Sequence, residues 1–287
     1  IKIKYPQYQN LYRVYTEEHA MTSGVLDLGK TRISYEFDQK KSDPTVTMIH
    51  CFGSNKNYWD FHKKSFVDYN SLIIDVPGHG ESALYEGECT LSQIADDIVA
   101  LLDHLEIRKI HLGGVSMGGM ISQILALKYP DRVASLMLIN TTCFISEDMH
   151  RLWQERSKQV LENGTKSVHD VLMQRWFTLK AIGNQIPGYQ YLSASFKSFN
   201  PEAFKKISEA MCGLDTNDKL RNISVPTLII ATPDDPGAPT HISKRMADFI
   251  KGSELHWLKP AQHLASLEHV ETFNEIIAGF LSKQFVS

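Results

Sequence analysis

The sequence predicts an α/β fold, with a mostly parallel central sheet flanked by helices. Three observations predict it. Strand-like and helix-like segments alternate along the chain. One apolar run, Ile110-His111-Leu112, leads through a glycine-rich corner straight into a helical segment. The 287 residues, 43% hydrophobic and 22% charged, suffice for a sizeable core of ordinary globular composition.

Taken in order, Gly24 to Leu28 and Thr31 to Glu36 read as an opening antiparallel pair that turns near Gly29-Lys30. Thr45 to His50 and Ser71 to Asp75 read as strands. Leu91 to Leu105 places Ile94, Ile98, Leu101, Leu102 and Leu105 at helical spacing. Ile110 to Leu112 is strand, Met120 to Leu127 helix, and Ala134 to Asn140 strand again. The alternation then breaks. From Thr141 to about Asn222, helix-like segments follow one another without a clear strand, and aromatic residues gather, among them Trp153, Trp176, Phe177 and Phe196. Residues 141–222 are therefore expected to be a helical cap, and 1–140 with 223–287 the core. The cap is inserted before the strand Thr227 to Ala231, which Val225-Pro226 announces. Ser253 to Leu258 reads as the last strand and Val270 to Phe285 as a closing helix.

The net charge of -3 gives no reason to expect a nucleic acid or an anionic membrane as partner. No apolar run approaches the length of a bilayer span. Cys51, Cys89, Cys143 and Cys212 lie far apart, with neither a disulfide framework nor zinc spacing. Reduced thiols in a cytoplasm are the expectation. The chain opens on Ile1 rather than Met, so the question of a signal segment is left open.

The chemistry centres on Ser116 in Gly113-Gly114-Val115-Ser116-Met117-Gly118-Gly119. A serine at a strand-to-helix corner is pushed out of the sheet edge into a cleft. Gly114 and Gly118 flank it because side chains there would collide across the turn. The N–H groups opening the helix favour negative charge at the same spot. A serine hydroxyl needs a base to become a nucleophile, and on such a scaffold the order is serine, acid, histidine.

The acid is sought in Thr232 to Pro239, at the carboxyl end of a core strand, where open α/β sheets place their ligand crevice. Asp234 and Asp235 compete there. Asp235 is preferred for its position before Pro236, and Asp234 reads as a turn or cap residue. The base is His263, on the loop between the last strand and the closing helix. Of the 12 histidines, His19, His62, His104, His150, His169 and His269 read as surface or helix-face residues. His256 reads as structural, and His241, in a polar stretch after the acid loop, as a weaker rival.

The loop His50-Cys51-Phe52-Gly53-Ser54 supplies the other half of the site. The backbone N–H groups of Phe52 and Met117 are expected to hold an oxyanion, and Phe52 to line the pocket as well. Cys51 lacks the corner context and is set aside as a nucleophile. His50 is expected to brace the loop, and Asp75 to Ser82 to shape the crevice floor. A metal site built from His50, Asp75 and His79 lacks a helical histidine pair or cysteine ligands, so no metal and no cofactor are expected.

Four motifs in this order, His50 to Gly53, Asp75 to Ser82, Gly114 to Gly118, and His263 after an acidic loop, resemble the α/β-hydrolase superfamily over almost the whole chain. Within it the chain looks most like the 3-oxoadipate enol-lactonase group and its lactone- and ester-cleaving relatives. That likeness rests on Ser116 to Met120 with Gln123, on Tyr129 to Val133, on Leu138 to Thr141, and on Gln174-Arg175-Trp176-Phe177-Thr178. The resemblance implies a Ser116, Asp235, His263 triad and a pocket wall at Trp176, with Phe177 beside it. Cys51 stands where Gly or Ser is usual and Thr232 where Gly is usual, departures that bear on the pocket's shape. The implied activity is hydrolysis of a small ester or lactone. The aromatic cap points to a substrate with apolar surface, such as an N-acyl homoserine lactone or an enol-lactone. Two alternatives stand beside it, carbon–carbon bond hydrolysis of a vinylogous diketone and a catalytically silent ligand receptor.

Overall fold

The computed structural model describes residues 20–40 and 44–284. Among them is a sheet of eight strands: β1 (Ala20–Asp27), β2 (Arg32–Gln39), β3 (Thr45–Ile49), β4 (Asn70–Ile74), β5 (Ile110–Val115), β6 (Val133–Ile139), β7 (Thr227–Ala231) and β8 (Glu254–Trp257). They lie side by side in the order β1-β2-β4-β3-β5-β6-β7-β8. The β1–β2 and β2–β4 pairs are antiparallel and every later pair is parallel.

The core strands follow from their composition. β3, β4, β5 and β7 are buried at every position, because helices cover both faces of the sheet and leave no side for polar residues. The β1–β2 turn closes where expected: the Leu28 N–H donates to the Thr31 carbonyl at 2.9 Å, and Gly29 takes φ +79. Both strands run further than the sequence implied, from Ala20 and to Gln39. The antiparallel ladder to β4, from Tyr35 opposite Ile74 to Asp38 opposite Ser71, carries polar residues into the strand.

The helices are α1 (Leu91–His104), α2 (Met117–Lys128), α3 (Glu147–Asn163), α4 (Lys166–Trp176), α5 (Leu179–Gly183), α6 (Pro187–Lys197), α7 (Pro201–Cys212), α8 (Thr240–Phe249), α9 (Ala265–Glu268) and α10 (Val270–Lys283). α1 starts in a capping box: Thr90 Oγ1 accepts from the Gln93 N–H at 3.1 Å, and Gln93 Oε1 accepts from the Thr90 N–H at 2.8 Å. Five helices, α3 to α7, lie between β6 and β7. Ser146 caps α3 and Gly164 ends it in the left-handed region. Asn200 caps α7 ahead of Pro201, a favoured first helical residue.

The polar stretch after the acid loop proves to be helix α8. Its buried Ile242 and Met246, followed by Ile250, recur every four residues and turn one face inward. Phe285, expected to end the closing helix, lies outside the described residues. Among the described residues no helix is long and apolar enough to cross a membrane.

Candidate active site

The corner at Ser116 is built by exclusion. A Cβ on Gly114 would lie 2.2 Å from the Gly118 backbone, and one on Gly118 would lie 2.2 Å from the Ile49 carbonyl oxygen. Only glycines let β5 turn into α2 this tightly. Ser116 itself sits at φ +54, ψ -113, a strained conformation that costs about 1–3 kcal/mol. Ser116 N–H donates to the Ile139 carbonyl at 2.9 Å, and Thr141 Oγ1 donates to the Ser116 carbonyl at 2.8 Å. These bonds to the end of β6 hold the strain in place.

The three residues expected to act together are brought together. His263 Nε2 lies 2.7 Å from Ser116 Oγ, and His263 Nδ1 lies 2.8 Å from both carboxylate oxygens of Asp235. Asp234 is exposed, whereas Asp235 is buried. The Asp235 carboxylate also accepts from the N–H groups of Gly237 and Ala238 at 2.7 and 3.0 Å and from Asn140 Nδ2 at 3.1 Å. Burial opposes its ionisation. The adjacent His263 and these hydrogen bonds outweigh burial and hold its pKa below the usual carboxylate range. Thr232, the departure noted in the acid loop, is buried and donates to the Ala261 carbonyl at 2.7 Å. It thereby ties the acid loop to the loop that carries the histidine.

In the loop after β3, Gly53 N–H donates to His79 Nε2 at 3.1 Å and Ser54 N–H to the Cys51 carbonyl at 3.3 Å. Among the described residues the Phe52 N–H has no such acceptor. Met117 is the first residue of α2, so its N–H has no partner within the helix. Two imidazoles brace this loop. His50 Nε2 accepts from the Val76 N–H at 3.0 Å, which leaves its Nδ1–H to donate to the Cys51 carbonyl at 2.8 Å. His79, by accepting from Gly53, is likewise neutral with its proton on Nδ1. Burial lowers the pKa of both. With each Nε2 already engaged by a backbone amide, neither offers a lone pair to a metal. Asp75 is equally engaged, accepting from the Lys56 N–H at 2.6 Å, Lys56 Nζ at 3.0 Å and the Glu81 N–H at 2.9 Å. Burial pushes the Cys51 thiol up to about 12, so Cys51 presents no thiolate near neutral pH.

A cavity of about 50 Å³ opens over Ser116 and His263. Phe52, Trp153, Leu172 and Trp176 wall it, and α3 and α4 contribute Arg156 and Arg175. Phe177 does not reach it. It is fully buried and meets Tyr189 edge-on, because side chains of adjacent residues at a helix end point in different directions and Trp176 takes the inward one. His62 and His169, read as surface or helix-face residues, are buried and bonded to Asn274 and Ser193. Reading the sequence did not single out Asn140, Arg156 or Arg175 for the site. The available signals were an Asn ending an apolar strand and an Arg three residues beyond Trp153 and four before Val160 on one helix face.

Comparison with known proteins agrees with this architecture. The alpha/beta hydrolase fold family profile matches residues 44–166. The chain is similar to 3-oxoadipate enol-lactonase 2 of Acinetobacter baylyi, 30% identical over 241 residues that span 84% of this chain and 89% of that protein. It is also similar to the 2-hydroxy-6-oxononadienedioate/2-hydroxy-6-oxononatrienedioate hydrolase of Escherichia coli, 28% identical over 95% of this chain and 99% of that one. The crystal structure of the enol-lactonase from Burkholderia xenovorans superposes with a TM-score of 0.85 at 24% identity, covering 90% of this chain and all of that one. Sheet order, serine corner and relatives converge: the chain belongs to the α/β-hydrolase fold family and counts lactone-cleaving hydrolases among its kin.

Proposed function

We propose that the protein hydrolyses a small carboxylic ester or lactone through an acyl-enzyme on Ser116. The observation that carries this reading is the chain of contacts from Ser116 Oγ through His263 to a buried, ionised Asp235. In this scheme Ser116 Oγ attacks the carbonyl carbon while His263 Nε2 takes its proton, and Asp235 steadies the imidazolium. The N–H groups of Phe52 and Met117 receive the oxyanion. Collapse breaks the carbon–oxygen bond, and His263 returns the proton to the leaving alkoxide, which in a lactone stays tethered to the acyl chain. Water, deprotonated by His263, then attacks the acyl-enzyme and frees the carboxylic acid. Residues 141–222 act in this reading as a cap that closes the cleft.

The test is burst kinetics with an activated ester. Wild-type protein is expected to release an initial burst of alcohol and to be labelled at Ser116 by a fluorophosphonate. Ser116→Ala is expected to lose both, and an undiminished burst would overturn the scheme. A second reading, carbon–carbon bond hydrolysis, is favoured by the relative from Escherichia coli that aligns over 95% of this chain. It uses the same three residues. Turnover of a vinylogous diketone in preference to lactones and p-nitrophenyl esters would select it.

A further inference from the structure

We propose that Tyr191 and Ser195, on helix α6, are positioning residues that hold the loop after β3 so that the Phe52 N–H meets the oxyanion. This rests on reading Ser116 as the acyl-transfer nucleophile and the Phe52 N–H as an oxyanion donor.

Three sets of contacts tie that loop to the inserted helices. The first is polar. Ser195 Oγ donates to the Gly53 carbonyl at 3.0 Å, one residue beyond Phe52. The Tyr191 hydroxyl has one proton, and its neighbours Asn55 Oδ1 at 2.9 Å and the Asn55 carbonyl at 3.2 Å can only accept it. Ser54 Oγ, 3.0 Å away, therefore donates to the Tyr191 oxygen. Asn55 Nδ2 closes the network by donating to Ser195 Oγ at 3.4 Å. Tyr191 and Ser195 are one turn apart, so both hydroxyls leave the same face of α6. The second set is steric. A Cβ on Gly53 would lie 2.5 Å from the Phe196 ring, so α6 lies directly on the loop backbone. The third is aromatic. The Phe52 ring meets Trp153, Phe199 and Phe204 edge-on, with centroids 5.2, 5.2 and 5.0 Å away.

The polar contacts fall where the loop is softest. Gly53 takes φ +72 and has no side chain to restrict it, so the chain can swing there at little cost. On the core side His79 holds the Gly53 N–H and His50 holds the Cys51 carbonyl. The Gly53 carbonyl is held from α6. An oxyanion donor acts by being fixed before charge develops, so a loop free to swing at Gly53 loses part of its effect. Apolar packing holds two layers together without setting direction, whereas a hydrogen bond to one carbonyl sets it. Loss of either hydroxyl is therefore felt where charge builds on the carbonyl oxygen, and ground-state binding stays as it was.

The test compares Tyr191→Phe, Ser195→Ala and the double variant with Ser193→Ala. Ser193 lies on another face of α6, where its hydroxyl is 2.8 Å from His169 Nε2, away from the loop. With p-nitrophenyl acetate, kcat/KM is expected to fall roughly tenfold in each single variant and roughly a hundredfold in the double, through kcat with KM nearly constant. Trifluoroacetone separates positioning from general damage. Ser116 Oγ adds to its carbonyl carbon, the proton passes to His263, and the carbonyl electron pair becomes the oxyanion of the adduct. Its Ki is expected to rise by the same factors, while the Ki of acetate stays put and Ser193→Ala matches wild type. As a second measurement, amide hydrogen exchange over residues 51–55 is expected to quicken roughly tenfold in the double variant and not in Ser193→Ala. Unchanged kcat and ketone Ki in the double variant, equal losses in Ser193→Ala, or acetate weakening as much as the ketone overturns the assignment. Absence of turnover, of fluorophosphonate labelling and of ketone inhibition in wild type overturns the Ser116 reading instead. The exchange measurement then decides alone: faster exchange supports α6 as the element that holds the loop, and unchanged exchange overturns it.

Discussion

Asn140 directly follows β6 at φ +42, a left-handed conformation that asparagine tolerates better than most residues. Its Nδ2 donates to Asp235 Oδ2, while its Oδ1 is buried without a donor among the described residues, and the residue lines the cavity. A buried orphan carbonyl costs about 1–3 kcal/mol, a cost that the fold carries where the amide orients the acid. Under the proposed mechanism Asn140 acts as a positioning residue. Asn140→Ala is expected to lower kcat roughly tenfold with little change in KM. The sign of its pH effect follows from linkage. Asp235 is held below the usual carboxylate range, so its contribution is present above that range and is lost as pH falls through the lowered pKa. Removing the Asn140 donor raises that pKa, so the profile of stability against pH begins to fall at higher pH on its acidic side. A profile that keeps its shape while activity drops would mark Asn140 as structural only.

Among the elements, the short helix α9 links the wall of the cleft to the loop of His263. Glu268 accepts from the Thr178 N–H, the Thr178 hydroxyl and, at 2.9 Å, the Gln262 N–H. The Leu264 N–H donates to the Trp176 carbonyl at 2.9 Å. The end of α4 and the loop bearing His263 are thus one hydrogen-bonded unit. Glu268→Ala leaves two amides without an acceptor and is expected to destabilise the protein by about 1–3 kcal/mol and to lower kcat/KM by roughly tenfold. Glu268→Gln keeps an acceptor and is expected to restore most of both. Thermal melts and ester kinetics on the two variants check this, and equal behaviour of Ala and Gln would remove the clamp from consideration.

Across the molecule, several imidazoles are buried in neutral form. Burial lowers His62 to about 3 and His111 to about 4, and lowers His50 and His79 as well. In the unfolded chain each takes up a proton near the ordinary value of 6.5, whereas the folded protein resists it until well below. Stability is therefore complete above that value and is lost as pH falls from it toward 3–4, by up to about 1.4 kcal/mol per pH unit for each such histidine. Urea midpoints are expected to drop steadily from pH 7 to pH 5. A flat or rising trend over that interval would show that these rings accept protons inside the fold.

The chain's own pattern determined the alternation of strand and helix, the corner at Ser116 and the order of acid and base. Each of these is written in local periodicity, in glycine placement and in the succession of loops at one sheet edge. The choice between Asp234 and Asp235 leaned on local loop chemistry, and contact with His263 distinguishes the two in the structure. The inward turn of Trp176 with Phe177 packed away, the grip of Asn140 on Asp235, the bracing of the β3 loop by His50 and His79, and the meeting of Arg156 with Arg175 were decided only by tertiary structure. Arg156 and Arg175 lie on successive helices, so whether their charges share one cavity depends on how those helices pack and rotate. That rotation is set by contacts with the core far along the chain, and local spacing carries no record of it.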